Sequence, residues 1–357
     1  MADVQTQIVE FDRKIRLSWE TEEKTLSEKR EIILGKLRDK FAAMRAEKKK
    51  VPTFTDFNQG SYQMDTGIRP AEGDYDIDVG LRFNCATADY SNPADLKILV
   101  ADVLEGHTDL GTEIKKSCVT VKYKAGGVQA FHVDLAVYAY DDPKSDTKRL
   151  FLAKGQRGSD EENRWWEESD PQGLIDWVKN RFQDAQREQF LRMIRALKRW
   201  KTEKFKTDGQ NAPSGIGLTV AAGQWFQPQV HFDPVASKTS SDDLKAMRAF
   251  VDKMVSQFQW VGTKDDGSPL YRLSVRVPVA PYIEIFDKKK MSDGQMTTFR
   301  ERLIQLRDRL DMVTNEPDTV RACQLMRQDF GEEFPVPDKK DTARPGGRAI
   351  VSSGVSA

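Results

Sequence analysis

A chain of 357 residues is longer than one compact core normally serves, so two lobes facing a shared cleft are expected. Its 56 basic and 56 acidic side chains balance, which argues against a protein that coats nucleic acid, and no apolar run reaches membrane-spanning length. The three scattered cysteines, Cys85, Cys118 and Cys323, make neither a disulfide framework nor a zinc pair; with the polar start Met1-Ala2-Asp3-Val4-Gln5 they point to the cytoplasm.

Residues 6–48 carry dense charge and predict one long helix, a spine bridging the lobes, that ends before Pro52. Strand and helix then alternate: a strand over 54–59 running into a turn at Gly60-Ser61, a strand over 77–83, a helix over 96–104, and strands over 113–123 and 130–140. From Asp141 to Gly173 the sequence is polar and loop-rich, with Trp165, Trp166 and Trp177 read as packing anchors. Beyond Asp184 the pattern predicts helices over 187–205, 215–226, 241–258, 292–312 and 319–330. Asp265-Asp266-Gly267-Ser268-Pro269 is a turn by composition, placed between helical segments. The polar end from Pro335 to Ala357 is expected to be disordered. The fold class is α+β: a catalytic lobe with a mixed sheet and the spine helix over 1–183, a helical lobe over 184–334, and a tail over 335–357.

Three carboxylates stand out. In Tyr75-Asp76-Ile77-Asp78-Val79 the apolar residues alternate with the acidic ones, so Asp76 and Asp78 point to one face of a strand. Asp134 repeats the pattern inside Phe131-His132-Val133-Asp134-Leu135, and an ionised carboxylate in so apolar a run needs a partner such as a cation. Magnesium takes one or two carboxylates together with phosphate oxygens, and a pair of such ions clamps both oxygens of an in-line displacement. A lone Asp-x-Asp is common on solvated hairpins, and Gly60-Ser61 alone reads as an ordinary helix cap. Together they read as a metal site beside a phosphate-holding turn. His132 is assigned a structural role on the face opposite Asp134.

On the helix 187–205, Phe190, Met193, Ile194, Leu197 and Trp200 form an apolar stripe with Lys198 at its edge. Arg187, Arg192, Arg195, Arg199 and Lys201 of the same helix read, without further context, as a solvated basic face. Ser214, after Pro213 and before Gly215, reads as a helix N-cap.

Gln59-Gly60-Ser61-Tyr62-Gln63-Met64-Asp65-Thr66, then Asp76-Ile77-Asp78 and His132-Val133-Asp134, closely resemble the bacterial cGAS/DncV-like nucleotidyltransferases. Trp166, Ser169-Asp170-Pro171, Leu197-Lys198-Arg199-Trp200 and Pro213-Ser214-Gly215-Ile216 extend the resemblance over about residues 50–230. It implies a bilobal, polymerase-beta-like enzyme that joins ATP and GTP into a cyclic oligonucleotide, a cyclic GMP-AMP isomer, in antiphage (CBASS) signalling. By position it assigns Asp76, Asp78 and Asp134 to two Mg2+ ions, with Mn2+ able to substitute, and gives Asp134 the ribose hydroxyl's proton. It assigns Gln59, Gly60 and Ser61 to the donor nucleotide, Lys198 and Ser214 to the triphosphate tail, and Asp266 or Asp265 to the acceptor base. The implied partners are an effector reached only through the cyclic nucleotide and a ubiquitin-like conjugating enzyme acting on the tail at Ala357; no membrane and no nucleic acid are implied. Met64 and Thr120 depart from the pattern, standing for a tyrosine and a basic residue. A linear tailing enzyme and a silent nucleotide-binding scaffold are the competing readings.

Overall fold

The structure is a computed structural model and describes residues 3–17, 24–70, 75–125, 128–205 and 211–338. Among these, seven strands make one mixed sheet in the order β1-β2-β5-β4-β3, with β6 added to β5 and β7 to β6. The strands are β1 (Phe54–Gln59), β2 (Tyr75–Ala86), β3 (Thr112–Ile114), β4 (Val119–Ala125), β5 (Val128–Tyr140), β6 (Leu150–Lys154) and β7 (Trp165–Glu168); the short helix α3 (Gly60–Gln63) follows β1, and β8 (Val230–Asp233) and β9 (Lys238–Ser241) form a separate hairpin. β2 and β5 run parallel at the centre, and the other pairs are antiparallel.

Alternation decides which face of the sheet is which. Ile77, Val79, Leu81 and Phe83 of β2 and Val133, Leu135 and Val137 of β5 are fully buried against two helices, α2 (Lys24–Ala46) and α4 (Ala94–Val103). These helices contribute Ile33, Leu34, Leu37 and Phe41, and Leu96 and Val100. Each such side chain stabilises the fold by about 1.5–3 kcal/mol when fully buried. A one-residue slip would move that whole set into water and drive the aspartates into the core, so the register is strongly specified.

A second apolar cluster is helical. It is centred on α6 (Asp184–Lys204), whose Phe190, Met193, Ile194, Leu197 and Trp200 are all buried. Around it pack α5 (Pro171–Lys179), α7 (Gly215–Trp225), α8 (Asp243–Ser256), α9 (Asp293–Asn315) and α10 (Thr319–Phe330). No helix among the described residues is long and apolar enough to cross a membrane.

Four expectations are corrected. The single helix over 6–48 does not form: α1 (Gln5–Ile15) ends with Arg16 in extended conformation, and α2 starts at Lys24. Backbone bonding explains the break, because Arg69 N donates to Ile15 O (2.7 Å), Leu17 N to Gly67 O (3.3 Å), and Arg16 forms a β-bridge with Ile68. Val4, Ile8, Phe11 and Ile15 of this segment join the helical cluster, whereas α2 joins the sheet cluster. The strand expected over 113–123 is a hairpin, with Lys115 N bonded to Cys118 O (2.9 Å). The loop expected over 141–173 contains β6, β7 and the start of α5; Trp166 and Trp177 pack as expected, while Trp165 is partly exposed beneath Lys116. The turn at 265–269 joins two strands, β10 (Gln259–Thr263) and β11 (Pro269–Arg272), not helices. Of the tail, the expectation of disorder falls from residue 339 onward outside the described residues.

Candidate active site

Strand register brings the acidic residues together. Asp78 pairs with Asp134 across the parallel β2/β5 seam, Gln59 pairs with Asp78 across β1/β2, and Thr120 pairs with Asp134 across β4/β5. Laterally paired residues share a face, so Gln59, Asp78, Asp134 and Thr120 form one row on the side of the sheet away from its core, with Asp76 two residues before Asp78 on the same face. His132 is the β2-facing partner of Asp76. Its assignment to the opposite face is corrected: two residues from Asp134 it shares that residue's face, and its Nε2 lies 3.9 Å from Asp134 Oδ2.

The row opens into a cleft of about 1310 Å3 between the sheet and the helical cluster. Gln59, Gly60, Ser61, Asp76 and Asp78 form one wall; Lys198, Lys201 and Thr202 of α6 and Gly215, Ile216 and Thr219 of α7 form the other. Leu174, Ile175, Val277 and Ile283 make one part of the cleft apolar, suited to a flat ring. Asp134 does not line the cleft directly. Its Oδ1 accepts from Thr120 Oγ1 (2.5 Å) and lies 3.8 Å from Lys115 Nζ, with 18% of the side chain exposed.

Gly60 makes the close approach possible. Its φ is +72°, and a Cβ there would overlap Asp78 Oδ2, so the turn after β1 sits directly against the carboxylate only because no side chain intervenes. Gln59 is fixed by Tyr138, whose hydroxyl donates to Gln59 Oε1 (2.9 Å). Burial pushes Tyr138 upward from its ordinary value, keeping that hydroxyl a donor.

The electrostatics fit a divalent cation. Asp78 is pushed up from 3.8 to about 7, first by burial and then by the like charges of Asp76 and Asp134; His132 and Lys198 oppose the shift. The donor set consists of carboxylate oxygens, the hard ligands Mg2+ prefers. Among the described residues no three His, Cys, Asp or Glu side chains close into a finished metal cage. The aspartates converge without enclosing an ion, and Mg2+ characteristically completes its coordination with water and substrate phosphates.

Lys198 is almost fully buried, and its Nζ donates to Thr66 O (2.9 Å) and Thr66 Oγ1 (3.1 Å). Burial pushes its ammonium down from 10.5 to about 7, against the pull of Asp76. The face read as solvated is largely engaged. Arg195 pairs through Nε and Nη2 with Asp12 of α1 and donates from Nη1 to Asp65 O (2.7 Å), Arg187 pairs with Asp65, and Arg199 donates to Arg69 O (2.8 Å). These contacts fasten residues 65–69, which follow the Gly60-Ser61 turn, to the helical cluster. The sequence showed the basic residues but not their acceptors, which are the backbone carbonyls of Asp65 and Arg69 and the carboxylates of Asp12 and Asp65.

Ser214 caps α7, accepting from Gly217 N (3.2 Å), and is not among the cleft-lining residues. Asp266 lies at the tip of the β10–β11 hairpin, outside the cleft lining, and accepts from Ser268 N (2.9 Å) and Oγ (2.5 Å). Met64 is buried in the helical cluster and reaches the cleft; Thr120 is buried beside Asp134. Thr66, Thr120, Tyr138 and Lys201 complete the surroundings; the sequence reading named Thr66, Thr120 and Lys201 without giving them a part in the site, and Tyr138 escaped it. Only Thr120 had a usable signal, its place opposite Asp134 in two adjacent alternating strands.

Paired strand carboxylates beside a glycine turn, across a cleft from a basic helix, define the architecture of a nucleotidyltransferase. Residues 52–138 match the family model described as "Cyclic GMP-AMP synthase DncV-like, nucleotidyltransferase domain", so this segment is a DncV-like nucleotidyltransferase domain. Over the whole chain the fold is that of the bacterial cGAS-like enzymes of this class. The cyclic AMP-GMP synthase DncV of Vibrio cholerae superposes with a TM-score of 0.67 at 19% identity, covering 92% of this chain and 96% of that one. The same enzyme in complex with the linear intermediate 5' pppA(3',5')pG gives 0.64 at 19%, with coverages of 90% and 93%. The CD-NTase CdnG of Bradyrhizobium diazoefficiens in complex with GTP gives 0.61 at 15%, with coverages of 92% and 96%.

Proposed function

We propose that this nucleotidyltransferase joins ATP and GTP into a cyclic GMP-AMP isomer, releasing pyrophosphate at each step, as the signal synthase of a bacterial antiphage system in the cytoplasm. The observation that carries the reading is the lateral pairing of Asp78 with Asp134, with Asp76 on the same face and Gly60 against Asp78. The solved relatives support the substrates: one is a cyclic AMP-GMP synthase seen with a linear pppA(3',5')pG intermediate, another binds GTP.

In this reading a ribose hydroxyl attacks the α-phosphorus, the new oxygen–phosphorus bond replaces the bond to the β-phosphate oxygen, and pyrophosphate departs. Asp76, Asp78 and Asp134 would hold Mg2+ or Mn2+, which when bound supplies Lewis-acid stabilisation of the charge on the attacking and leaving oxygens. Thr120 occupies Asp134 Oδ1 and leaves Oδ2 to take the hydroxyl proton. The Gly60-Ser61 turn offers backbone N–H groups and a hydroxyl to the phosphates, and the apolar part of the cleft receives a base. The enzyme reaches its effector only through the cyclic nucleotide, without contact between the two proteins.

Incubation with labelled ATP and GTP and Mg2+, followed by phosphatase and chromatography, tests the proposal. A phosphatase-resistant product containing both bases is expected. A ladder that phosphatase and exonuclease degrade would instead establish linear synthesis, and no product under any nucleotide mixture would count against catalysis.

A further inference from the structure

Tyr138 stands four residues beyond Asp134 on the same face of β5, so one row of the sheet separates it from the row that holds Gln59 and Asp78. That intervening row is Phe57, Gly80 and Ala136. Glycine and alanine keep it low, and a Cβ at Gly80 would overlap the Phe57 ring, which lies over bare backbone. The Phe57 ring stands beside that of Tyr138, with centroids 5.8 Å apart, and beneath the Arg82 guanidinium at 3.8 Å. Across this floor the Tyr138 hydroxyl, on a side chain only 3% exposed, donates to Gln59 Oε1 (2.9 Å). A primary amide has two unlike ends: with Oε1 held by the phenol, the Nε2 end carries two N–H donors, and among the described residues nothing accepts from it. Gln59 lines the cleft, directly before the Gly60-Ser61 turn and abreast of Asp78.

We propose that Tyr138 is a positioning residue of the transfer reaction: it fixes the Gln59 amide so that its N–H donors, and not its carbonyl oxygen, meet the phosphate oxygens of the bound nucleotide. The inference rests on the nucleotidyltransferase reading above and adds to it the residue that orients one of its phosphate contacts. Orientation decides the sign of that contact. An N–H aimed at an anionic oxygen makes a charge-assisted hydrogen bond, whereas a carbonyl oxygen in the same place sets negative charge against negative charge. The terminal torsion of a glutamine is broad and two-fold, so the side chain by itself does not choose between the two ends. The choice falls to a partner, and the phenol is the partner in place.

A double-mutant cycle over Tyr138→Phe and Gln59→Ala tests it, read as kcat/KM for ATP with GTP and Mg2+ present and as affinity for a non-hydrolysable ATP analogue with Mg2+. The phenylalanine keeps the ring and its packing and removes only the hydroxyl. Tyr138→Phe is expected to lower both quantities about tenfold in the wild-type background and less than about twofold in the Gln59→Ala background, because the hydroxyl has nothing left to orient there. A phenol that serves the fold alone would cause the same loss in both backgrounds; that result overturns the inference, as does a Tyr138→Phe chain at wild-type level. Gln59→Glu gives a second reading without touching the core. Its carboxylate still accepts from the phenol but turns an oxygen on the phosphates, so it should fall below Gln59→Ala in both quantities. A Gln59→Glu chain near wild type would mean that an acceptor faces the nucleotide, and the inference fails. With the wild type active, each of these contrary results removes only the part given to Tyr138. A wild-type chain that neither binds the analogue nor makes product overturns that part together with the enzyme reading.

Discussion

The two walls of the cleft are built by different means. On the sheet side, short side chains are placed by backbone register: Gln59, Asp78, Asp134 and Thr120 sit in one row because four strands pair in one alignment. On the helical side, long side chains from α6 reach out, and several of them, Arg195, Lys198 and Arg199, are bound to main-chain carbonyls of residues 65–69. The acidic wall is therefore fixed wherever the sheet forms, whereas the basic wall depends on a strap that links α1, residues 64–69 and α6. Perturbing the first should alter chemistry with the fold intact; perturbing the second should alter stability and geometry together.

The largest effect tests the acidic wall. Asp76→Ala with Asp78→Ala is expected to lower product formation by at least about a thousandfold while circular dichroism stays unchanged, since metal clamping of the reacting oxygens carries most of the rate. A loss of fold in this variant would blur the contrast between the walls. Asp12→Ala tests the other side. It strands the buried Arg195 guanidinium without its bidentate partner and should cost about 3–5 kcal/mol, read by denaturant unfolding. Gly60→Ala comes next: the added methyl must displace the Asp78 carboxylate and strains a residue with φ of +72°, and a misplacement of this kind costs about a hundredfold in kcat.

That difference also explains what was legible in the sequence. Strand alternation is local, so Asp76, Asp78 and their apolar neighbours could be read from a few consecutive residues, and Asp134 from its own run. Helical faces are local too, and the buried stripe from Phe190 to Trp200 was evident. Partners are not local: nothing near Lys198 reveals that Thr66 accepts from it, nor that Asp12 neutralises Arg195. The break at Arg16 was hidden for the same reason, because it is caused by bridging to Ile68 rather than by any breaker in 6–48. Asp266 and Ser214 turned out to bond their own turn and cap, the reading their local sequence already favoured.

Two smaller effects sharpen the comparison. Asp78 keeps its proton in the folded chain between 3.8 and about 7, so its contribution to stability is present below its ordinary value and is lost as pH rises towards 7. Lys198 has the opposite sense: it is neutral in the folded chain from about 7 to its ordinary 10.5, so its contribution is lost as pH falls through 7. Without divalent cations, these two groups give a shallow stability minimum near neutrality. Thermal melts across pH should show that Asp78→Asn removes the fall on the acid side and Lys198→Met the rise on the alkaline side, and that Mg2+ reduces the Asp78 part. Asp266→Ala should matter least, lowering the melting temperature slightly through its hairpin turn and leaving product formation unchanged.

The account stands most directly on where a divalent ion binds. A crystal of the protein grown with a non-hydrolysable ATP analogue and Mn2+, measured for anomalous scattering, should show density bridging the carboxylates of Asp76, Asp78 and Asp134 and the nucleotide phosphates. Bound nucleotide with no anomalous density at those carboxylates, or with density only elsewhere, would contradict it.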